Sequence, residues 1–118
     1  MRRIVLLLAL AVAAAGSAHA TTVRSGLYGT VMRGPITPVC ALEVPCDEPA
    51  AGAVLVFTRE GREVARTRVR QDGSYRIALA PGTYRVRAVS RRPLDPSTVT
   101  VRPRRFRHVD FSIDTGIR

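Results

Sequence analysis

The chain has 118 residues, of which 46% are hydrophobic and only 5% are aromatic, and its formal net charge is +10. This length allows one domain, and with no Trp its core must be built from Val, Leu, Ile and Ala. All 19 basic residues are arginine. A charge of this size attracts polyanions in general, so it does not by itself indicate a nucleic-acid function.

The first 20 residues have the pattern of a secretory signal peptide. Two arginines follow the first methionine, an apolar run extends from Ile4 to Ala15, and an A-x-A cleavage site ends at Ala20. The apolar run is short for a transmembrane helix, and an uncleaved N-terminal anchor is the weaker alternative. We therefore expect a mature domain of residues 21–118 that is secreted or periplasmic and has no membrane span after processing.

The first predicted strand of the mature chain covers residues 26–32, where Leu27, Gly29 and Val31 alternate with other side chains. A glycine inside a strand indicates a bulge or the close approach of another backbone segment. Residues 33–52 follow as a long connection with four prolines, which exclude a helix or a central strand. A loop of this length in a small domain is functional or structurally fixed.

Cys40 and Cys46 lie in this connection. In an exported protein a disulfide between them is the expected state, and two free thiols are the alternative. The chain-entropy relation gives about 2.4 kcal/mol of stabilisation for a closed loop of roughly seven residues. No other Cys or His lies nearby in the sequence to favour a metal site. We interpret the pair as a local disulfide.

The rest of the chain shows six more segments with strand patterns. They cover residues 53–58, 63–69, 74–79, 83–88, 98–102 and 106–113. Asp72-Gly73 and Pro81-Gly82 are turn dipeptides, so residues 74–79 and 83–88 are predicted to form an antiparallel hairpin with one apolar face and one arginine face. Seven short strands at regular spacing predict an all-β fold, a single seven-stranded antiparallel Greek-key β-sandwich.

Three motifs point to a known family. Gly29-Thr30-Val31 comes first, then the G-A-x-L-x-F pattern of residues 52–57, then D-G-S-Y-R-I-x-L-x-P-G-T-Y-R-V at residues 72–86. Together they resemble the carboxypeptidase regulatory-like domain, a transthyretin (prealbumin)-like sandwich, in its small secreted bacterial form. The resemblance covers residues 26–113 and implies a non-catalytic accessory module.

The candidate for catalysis is the pair His108 and Asp110, which lie two positions apart on one face of the last predicted strand. No serine stands in a nucleophile-elbow context, and one histidine with scattered carboxylates is a poor zinc site. A solvated ion pair or hydrogen bond explains the two residues better than catalysis does. We expect no enzyme activity, no cofactor and no metal.

Arginines at outward positions of the strands are the other candidate site. They are interpreted first as solvated faces that protect edge strands. The alternative is a surface that binds phosphate or carboxylate polymers through bidentate guanidinium contacts. Aromatic residues between the arginines are missing, which argues against a platform for single-stranded nucleic acid. The possible anion-binding face consists of Arg66, Arg68, Arg76, Arg85, Arg87, Arg102, Arg104, Arg105 and Arg107.

The sequence thus predicts a non-catalytic exported binding or scaffold module whose partner is unknown, either a protein or an anionic envelope polymer. No specific nucleic acid is expected as a partner. One alternative is an arginine-rich adaptor for anionic cell-envelope polymers. The least favoured alternative is an orphan hydrolase that uses His108.

Overall fold

The computed structural model describes residues 24–118, so the predicted signal peptide lies outside the described residues. The described part contains ten strands in two sheets. They are β1 Gly26–Gly34, β2 Glu48–Pro49, β3 Val54–Arg59, β4 Arg62–Arg68, β5 Ser74–Ala78, β6 Gly82–Ala88, β7 Leu94–Asp95, β8 Thr98–Val101, β9 Phe106–His108 and β10 Phe111–Asp114. Within residues 24–118, no helix is long and apolar enough to cross a membrane. The predicted all-β class with two layers is confirmed.

The first sheet is built around β1, which pairs with four other strands. Its first half lies between β5, which runs antiparallel to it, and β9, which runs parallel. Its second half lies between β2, antiparallel, and β10, parallel, and β7 pairs with the far side of β10. The predicted entirely antiparallel sandwich is therefore wrong in this sheet. Alternation of apolar residues fixes which face of a strand is buried and carries no information on strand direction.

The second sheet has the order β4-β3-β6-β8 and is antiparallel throughout. β3 and β4 form a hairpin through Glu60 and Gly61, whose φ angles are 52° and 78°. Positive φ at both central positions gives a type I′ turn, whose twist matches that of paired strands. This hairpin joins the strands predicted at residues 53–58 and 63–69, and a Greek-key connection between the layers stays a prediction.

The predicted hairpin between residues 74–79 and 83–88 does not form. β5 pairs with β1 in the first sheet, whereas β6 pairs with β3 and β8 in the second, so the chain crosses between layers at Pro81-Gly82. Both strands still point an apolar face to the same core, through Tyr75 and Tyr84. Period-2 alternation is satisfied equally by a hairpin and by a crossover, which is why the sequence did not separate them.

The predicted last strand, residues 106–113, is divided into β9 and β10 at Asp110. Its register against β1 is the same on both sides of the break, since Gly26 faces Phe106 and Val31 faces Phe111. At the break the N–H of Thr30 donates to Oδ1 of Asp110 at 2.8 Å. A side-chain carboxylate thus replaces a backbone carbonyl in the ladder. This division and the two-residue strands β2 and β7 account for ten strands instead of seven.

The core lies between the two sheets and consists of small aliphatic residues around a few aromatic rings. Phe111 contacts both Phe57 and Tyr75, with ring centroids 6.5 and 5.5 Å apart. β1 contributes Leu27 and Val31, both fully buried, as the alternation predicted. The two layers are therefore joined by side chains from both ends of the chain.

Gly29 confirms the predicted close approach of another backbone segment. A Cβ atom at this position would lie 2.2 Å from the carbonyl oxygen of Val109 and 2.7 Å from Oδ1 of Asp110. No real side chain fits at such distances. The glycine therefore allows β1 to pack directly against the junction of β9 and β10.

The predicted disulfide between Cys40 and Cys46 is confirmed, with the two Cα atoms 5.4 Å apart. It closes part of the stapled loop, the name used below for residues 35–47. One backbone hydrogen bond crosses the loop, from Ile36 N to Cys46 O at 2.8 Å. The loop ends at β2, where Glu48 pairs with Arg33 of β1.

Candidate functional site

The His108–Asp110 pair is present, and its carboxylate is occupied by contacts within the fold. His108 Nε2 lies 3.0 Å from Asp110 Oδ1. The same oxygen accepts hydrogen bonds from the N–H of Thr30 at 2.8 Å and from its hydroxyl at 3.1 Å. The backbone donor of Thr30 is the main cause that lowers the pKa of Asp110. Asp110 therefore ties β1 to the last two strands.

The surroundings of this pair also serve the fold. The Tyr28 ring packs against the His108 imidazole, with centroids 5.2 Å apart. On the core side, the hydroxyl of Tyr75 donates to the carbonyl oxygen of Val109 at 2.5 Å. Burial, with a smaller contribution from the charge of Asp110, raises the pKa of Tyr75 above its ordinary value. The junction between β9 and β10 is thus fixed by polar contacts from both faces.

The predicted arginine face is divided among several surfaces. Arg66 and Arg68 of β4 lie on the outer face of the second sheet together with Arg85 and Arg87 of β6. The other five candidates lie elsewhere: Arg76 on β5 in the first sheet, and Arg102, Arg104, Arg105 and Arg107 around the connection from β8 to β9. The prediction that Arg76, Arg85 and Arg87 share adjacent strands is wrong, because β5 and β6 belong to different sheets.

On the outer face of the second sheet, arginines cover an apolar side chain. Val56 is fully buried although it does not belong to the core, and its cross-strand neighbours are Arg66 and Arg87. We attribute its burial to the aliphatic stems of these arginines, which leave the guanidinium groups in water. β3 is therefore covered on both faces, by the core on one side and by arginine stems on the other.

Arg66 also forms a bidentate ion pair. Its Nε and Nη2 donate to the two carboxylate oxygens of Glu63 at 2.7 and 2.8 Å. The hydrogen bond from Arg66 is the main cause that lowers the pKa of Glu63, and Arg87 contributes through its charge. This part of the outer face is therefore partly neutralised within the protein.

Arg76 belongs to a different cationic surface. Its guanidinium lies over the ring of Phe106 at 3.7 Å from the centroid, which is within cation–π range. Arg24 and Arg70 line the same cleft of about 270 Å³. Arg70 Nη1 donates to the hydroxyl of Ser74 at 3.2 Å. Sequence reasoning missed Arg24 and Arg70 here, because neither lies on a predicted strand.

The arginines around the connection from β8 to β9 have mainly local contacts. Arg107 Nη1 donates to the carbonyl oxygen of Thr100 at 3.1 Å, which links β9 of the first sheet to β8 of the second. The carbonyl oxygen of Arg105 accepts a hydrogen bond from Gly26 N at 3.1 Å. Arg104 occupies a turn position with φ 60°. These residues close one end of the sandwich.

One of two adjoining clefts lined by arginine contains residues that the sequence did not single out. It has a volume of about 520 Å³ and is lined by Arg87 together with Arg91 and Arg92, and no carboxylate is among its described lining residues. A second cleft of about 380 Å³ shares Arg92 and adds Arg33. The only signal in the sequence was the Arg91-Arg92 dipeptide before Pro93, in a segment between predicted strands.

The stapled loop exposes apolar side chains. Leu42 is 93% exposed, Val39 is 78% exposed and Val44 is 59% exposed. None of the three packs on the core cluster. The loop is therefore held away from the sandwich rather than folded onto it.

A metal site needs several ligands close together. In the part of the chain that the structure describes, no group of three or more His, Cys, Asp or Glu side chains is placed to hold a metal ion. His108 has Asp110 as its carboxylate neighbour, and that carboxylate is engaged as described above.

The fold is similar to that of a solved bacterial minor pilin. The crystal structure of a minor pilin from the Gram-positive pathogen Streptococcus agalactiae matches with a TM-score of 0.50 and 14% sequence identity, over 79% of this chain and 45% of the pilin chain. The chain thus spans less than half the length of that pilin. No protein-family model and no curated protein matches the chain. The carboxypeptidase regulatory-like resemblance stays a prediction, and the comparison establishes a β-sandwich fold shared with a bacterial pilin.

Proposed function

We propose that this chain is a non-catalytic, exported β-sandwich module that binds or scaffolds a partner. The observation that carries the proposal is the use of Asp110, whose Oδ1 accepts two hydrogen bonds from Thr30 and contacts His108. These contacts give Asp110 a task in the fold that accounts for its place beside His108 without catalysis. Here the same oxygen completes the ladder between β1 and the last strands, so its role is structural.

The proposed location follows from the disulfide and the predicted signal peptide. Cys40 and Cys46 are joined, and such bonds persist in oxidising compartments such as the periplasm and the cell surface. The pilin with a similar fold gives an analogy for a structural module in the envelope. We propose in the same way that the chain is a small secreted relative of the carboxypeptidase regulatory-like domain.

The absence of catalysis is tested with the purified chain of residues 21–118. We expect no turnover of ester, peptide or ureide substrates above the buffer rate. His108→Ala and the wild type should give the same result, because under this proposal the imidazole takes part in no reaction. Turnover that His108→Ala abolishes would replace this proposal with the orphan hydrolase.

A second candidate function is an arginine-rich adaptor for anionic envelope polymers. The observation that favours it is the pair of adjoining clefts, which share Arg92 and have no carboxylate among their described lining residues. Arginine recognises phosphate and carboxylate through paired N–H donors. Binding of such polymers should weaken steeply with added salt, because released counterions supply much of the free energy.

The adaptor is tested by reversing charge on the outer face of the second sheet. Arg85→Glu combined with Arg87→Glu should weaken polymer binding and reduce its salt dependence. Arg104→Glu combined with Arg105→Glu changes the net charge equally and serves as the control. If the first pair leaves binding unchanged, β6 takes no part in the binding face.

A further inference from the structure

We propose that the cleft formed by Arg87, Arg91 and Arg92 binds the phosphate groups of a linear polyol- or sugar-phosphate polymer. This inference deepens the adaptor function proposed above and depends on it. It assigns the binding to residues that lie mostly outside the arginine face predicted from the sequence. Of the three, only Arg87 was a candidate there.

The positive charge of this cleft is not balanced inside it. Its described lining consists of the three arginines, Ser97 and the aliphatic residues Val86, Pro93 and Leu94. The acid that Arg92 influences is Asp114, whose pKa is lowered first by a hydrogen bond from Arg118 and only last by the charge of Arg92. Arg87 acts on Glu63, outside the cleft, through its charge, so the guanidinium groups of Arg91 and Arg92 are the more available to an external anion.

The backbone that carries these arginines is fixed at several points. Arg91 N donates to the carbonyl oxygen of Ala88 at 2.9 Å, and Val86 N donates to that of Ser97 at 2.9 Å. Asp114 N donates to the carbonyl oxygen of Pro93 at 2.9 Å, which joins this segment to β10. A site held in this way loses less conformational entropy on binding than a mobile loop does.

Arg91 stands at a backbone position that favours a different residue. Its φ is 66°, in the left-handed region, where a residue with a side chain is strained and glycine is not. Asn or Gly would satisfy the turn at lower cost. Arg104 has a similar φ of 60°, so the conformation by itself assigns no function, and Arg91 belongs to the site because its side chain lines the cleft.

The adjoining cleft indicates a ligand with more than one anionic group. It shares Arg92 with the first cleft and adds Arg33, Ser90 and Thr115. Arg33 already donates through Nε to Glu48 at 2.7 Å, so its charge is partly balanced and the first cleft is the stronger site. Two sites joined at Arg92 suit a chain of spaced phosphates better than a single ion.

The floor of the cleft selects among polyanions. Pro93 and Leu94 offer an aliphatic surface to the carbon atoms between phosphates. Single-stranded nucleic acids gain affinity when their bases stack on aromatic side chains, and no aromatic residue is among the described lining. A phosphate polymer without bases therefore fits this cleft best.

The test measures binding of a fluorescent poly(glycerol phosphate) to the chain of residues 21–118 at several salt concentrations. Arg91→Gln combined with Arg92→Gln should weaken binding by about tenfold or more, since each charged hydrogen bond accounts for roughly that factor. The plot of log affinity against log salt has a negative slope, and this slope should become less steep by about 0.7 for each phosphate that the variant no longer neutralises. Thermal melting verifies that the exposed substitutions leave the fold intact.

The matched control is Arg104→Gln combined with Arg105→Gln, which removes the same charge at the other end of β1. The carbonyl oxygen of Arg105 accepts a hydrogen bond from Gly26 N at the start of β1. The cleft includes Leu94 of β7, which lies level with Arg33 near the end of β1. Gly26 and Arg33 are roughly 23 Å apart along the strand. The control should change affinity by no more than about twofold, because charges this distant are screened.

Four results would overturn the inference, and they differ in whether the proposed adaptor function is still supported. If both double variants weaken binding equally, the attraction is diffuse and the adaptor function stands without this cleft. If the wild type binds no polymer, the adaptor function falls as well. Inorganic phosphate bound as tightly as the polymer would make the ligand a free ion. An oligothymidylate bound as tightly would contradict the selection against nucleic acid.

Discussion

β1 and the stapled loop that follows it are neighbours in the sequence, yet they behave in opposite ways. Leu27 and Val31 of β1 are fully buried, whereas Leu42 of the loop is 93% exposed and Val39 is 78% exposed. β1 pairs with strands on both sides along its length. The loop has prolines and a disulfide instead of a ladder. Apolar residues are buried here only where their backbone also has hydrogen-bonding partners.

The sharpest test of this contrast makes the same substitution in both regions. Leu27→Ala should lower the free energy of unfolding by about 2–5 kcal/mol, because it leaves a cavity in a closely packed core. Leu42→Ala should change it by less than about 0.5 kcal/mol, since its side chain is almost entirely in water. Urea unfolding followed by circular dichroism measures both values.

The two leucine variants also test whether the loop contacts a partner. A large destabilisation by Leu42→Ala in the isolated protein would show that the loop packs on the sandwich, and the contrast would fail. A loss of partner binding with unchanged stability would instead identify Leu42 as part of an interaction surface.

The disulfide is expected to have an intermediate effect. Cys40→Ser combined with Cys46→Ser should lower the free energy of unfolding by at most about 2.4 kcal/mol, the entropy value for a closed loop of this size. Hydrogen exchange should increase in residues 35–47 and stay slow in β1, because only one backbone bond, Ile36 N to Cys46 O, crosses the loop. Faster exchange throughout β1 would show that the loop and the sandwich unfold as one unit.

The sequence predicted the buried faces well because alternation reports them directly. Tyr75, Tyr84 and Phe111 all point into the core as expected. The sequence predicted less well which strands pair with each other, because a crossover at Pro81-Gly82 shows the same alternation as a hairpin does. The pairing of β1 with β9 and β10 depends on contacts between residues 80 positions apart. No local pattern contains that information.

The candidate site was predicted in part for a similar reason. Arg85 and Arg87 were identified because they alternate with buried residues on a strand. Arg91 and Arg92 lie in an irregular turn, where no periodicity marks which side chains converge. Asp110 was paired correctly with His108, but its main partner, Thr30, lies at the other end of the chain. Side chains that meet through tertiary packing leave no mark in local spacing.

The smallest expected effect concerns the polar contact that holds β1 in place. Asp110 has a lowered pKa in the folded protein, mainly because the N–H of Thr30 donates to it. Its contribution to stability is present above the unfolded pKa of about 3.9 and is lost as pH falls through the lower folded value. Asp110→Asn should therefore flatten the acid limb of a plot of melting temperature against pH.

Thr30→Val separates the two donors of this contact. It removes the hydroxyl and keeps the N–H, which is the larger cause of the lowered pKa, so it should flatten the acid limb less than Asp110→Asn does. Asp72 and Asp114 also have lowered pKa values, so some acid dependence should remain in both variants. An acid limb unchanged by Asp110→Asn would mean that the carboxylate does not secure β1, whose position would then depend on apolar burial, on its backbone ladders with four strands and on the close fit at Gly29.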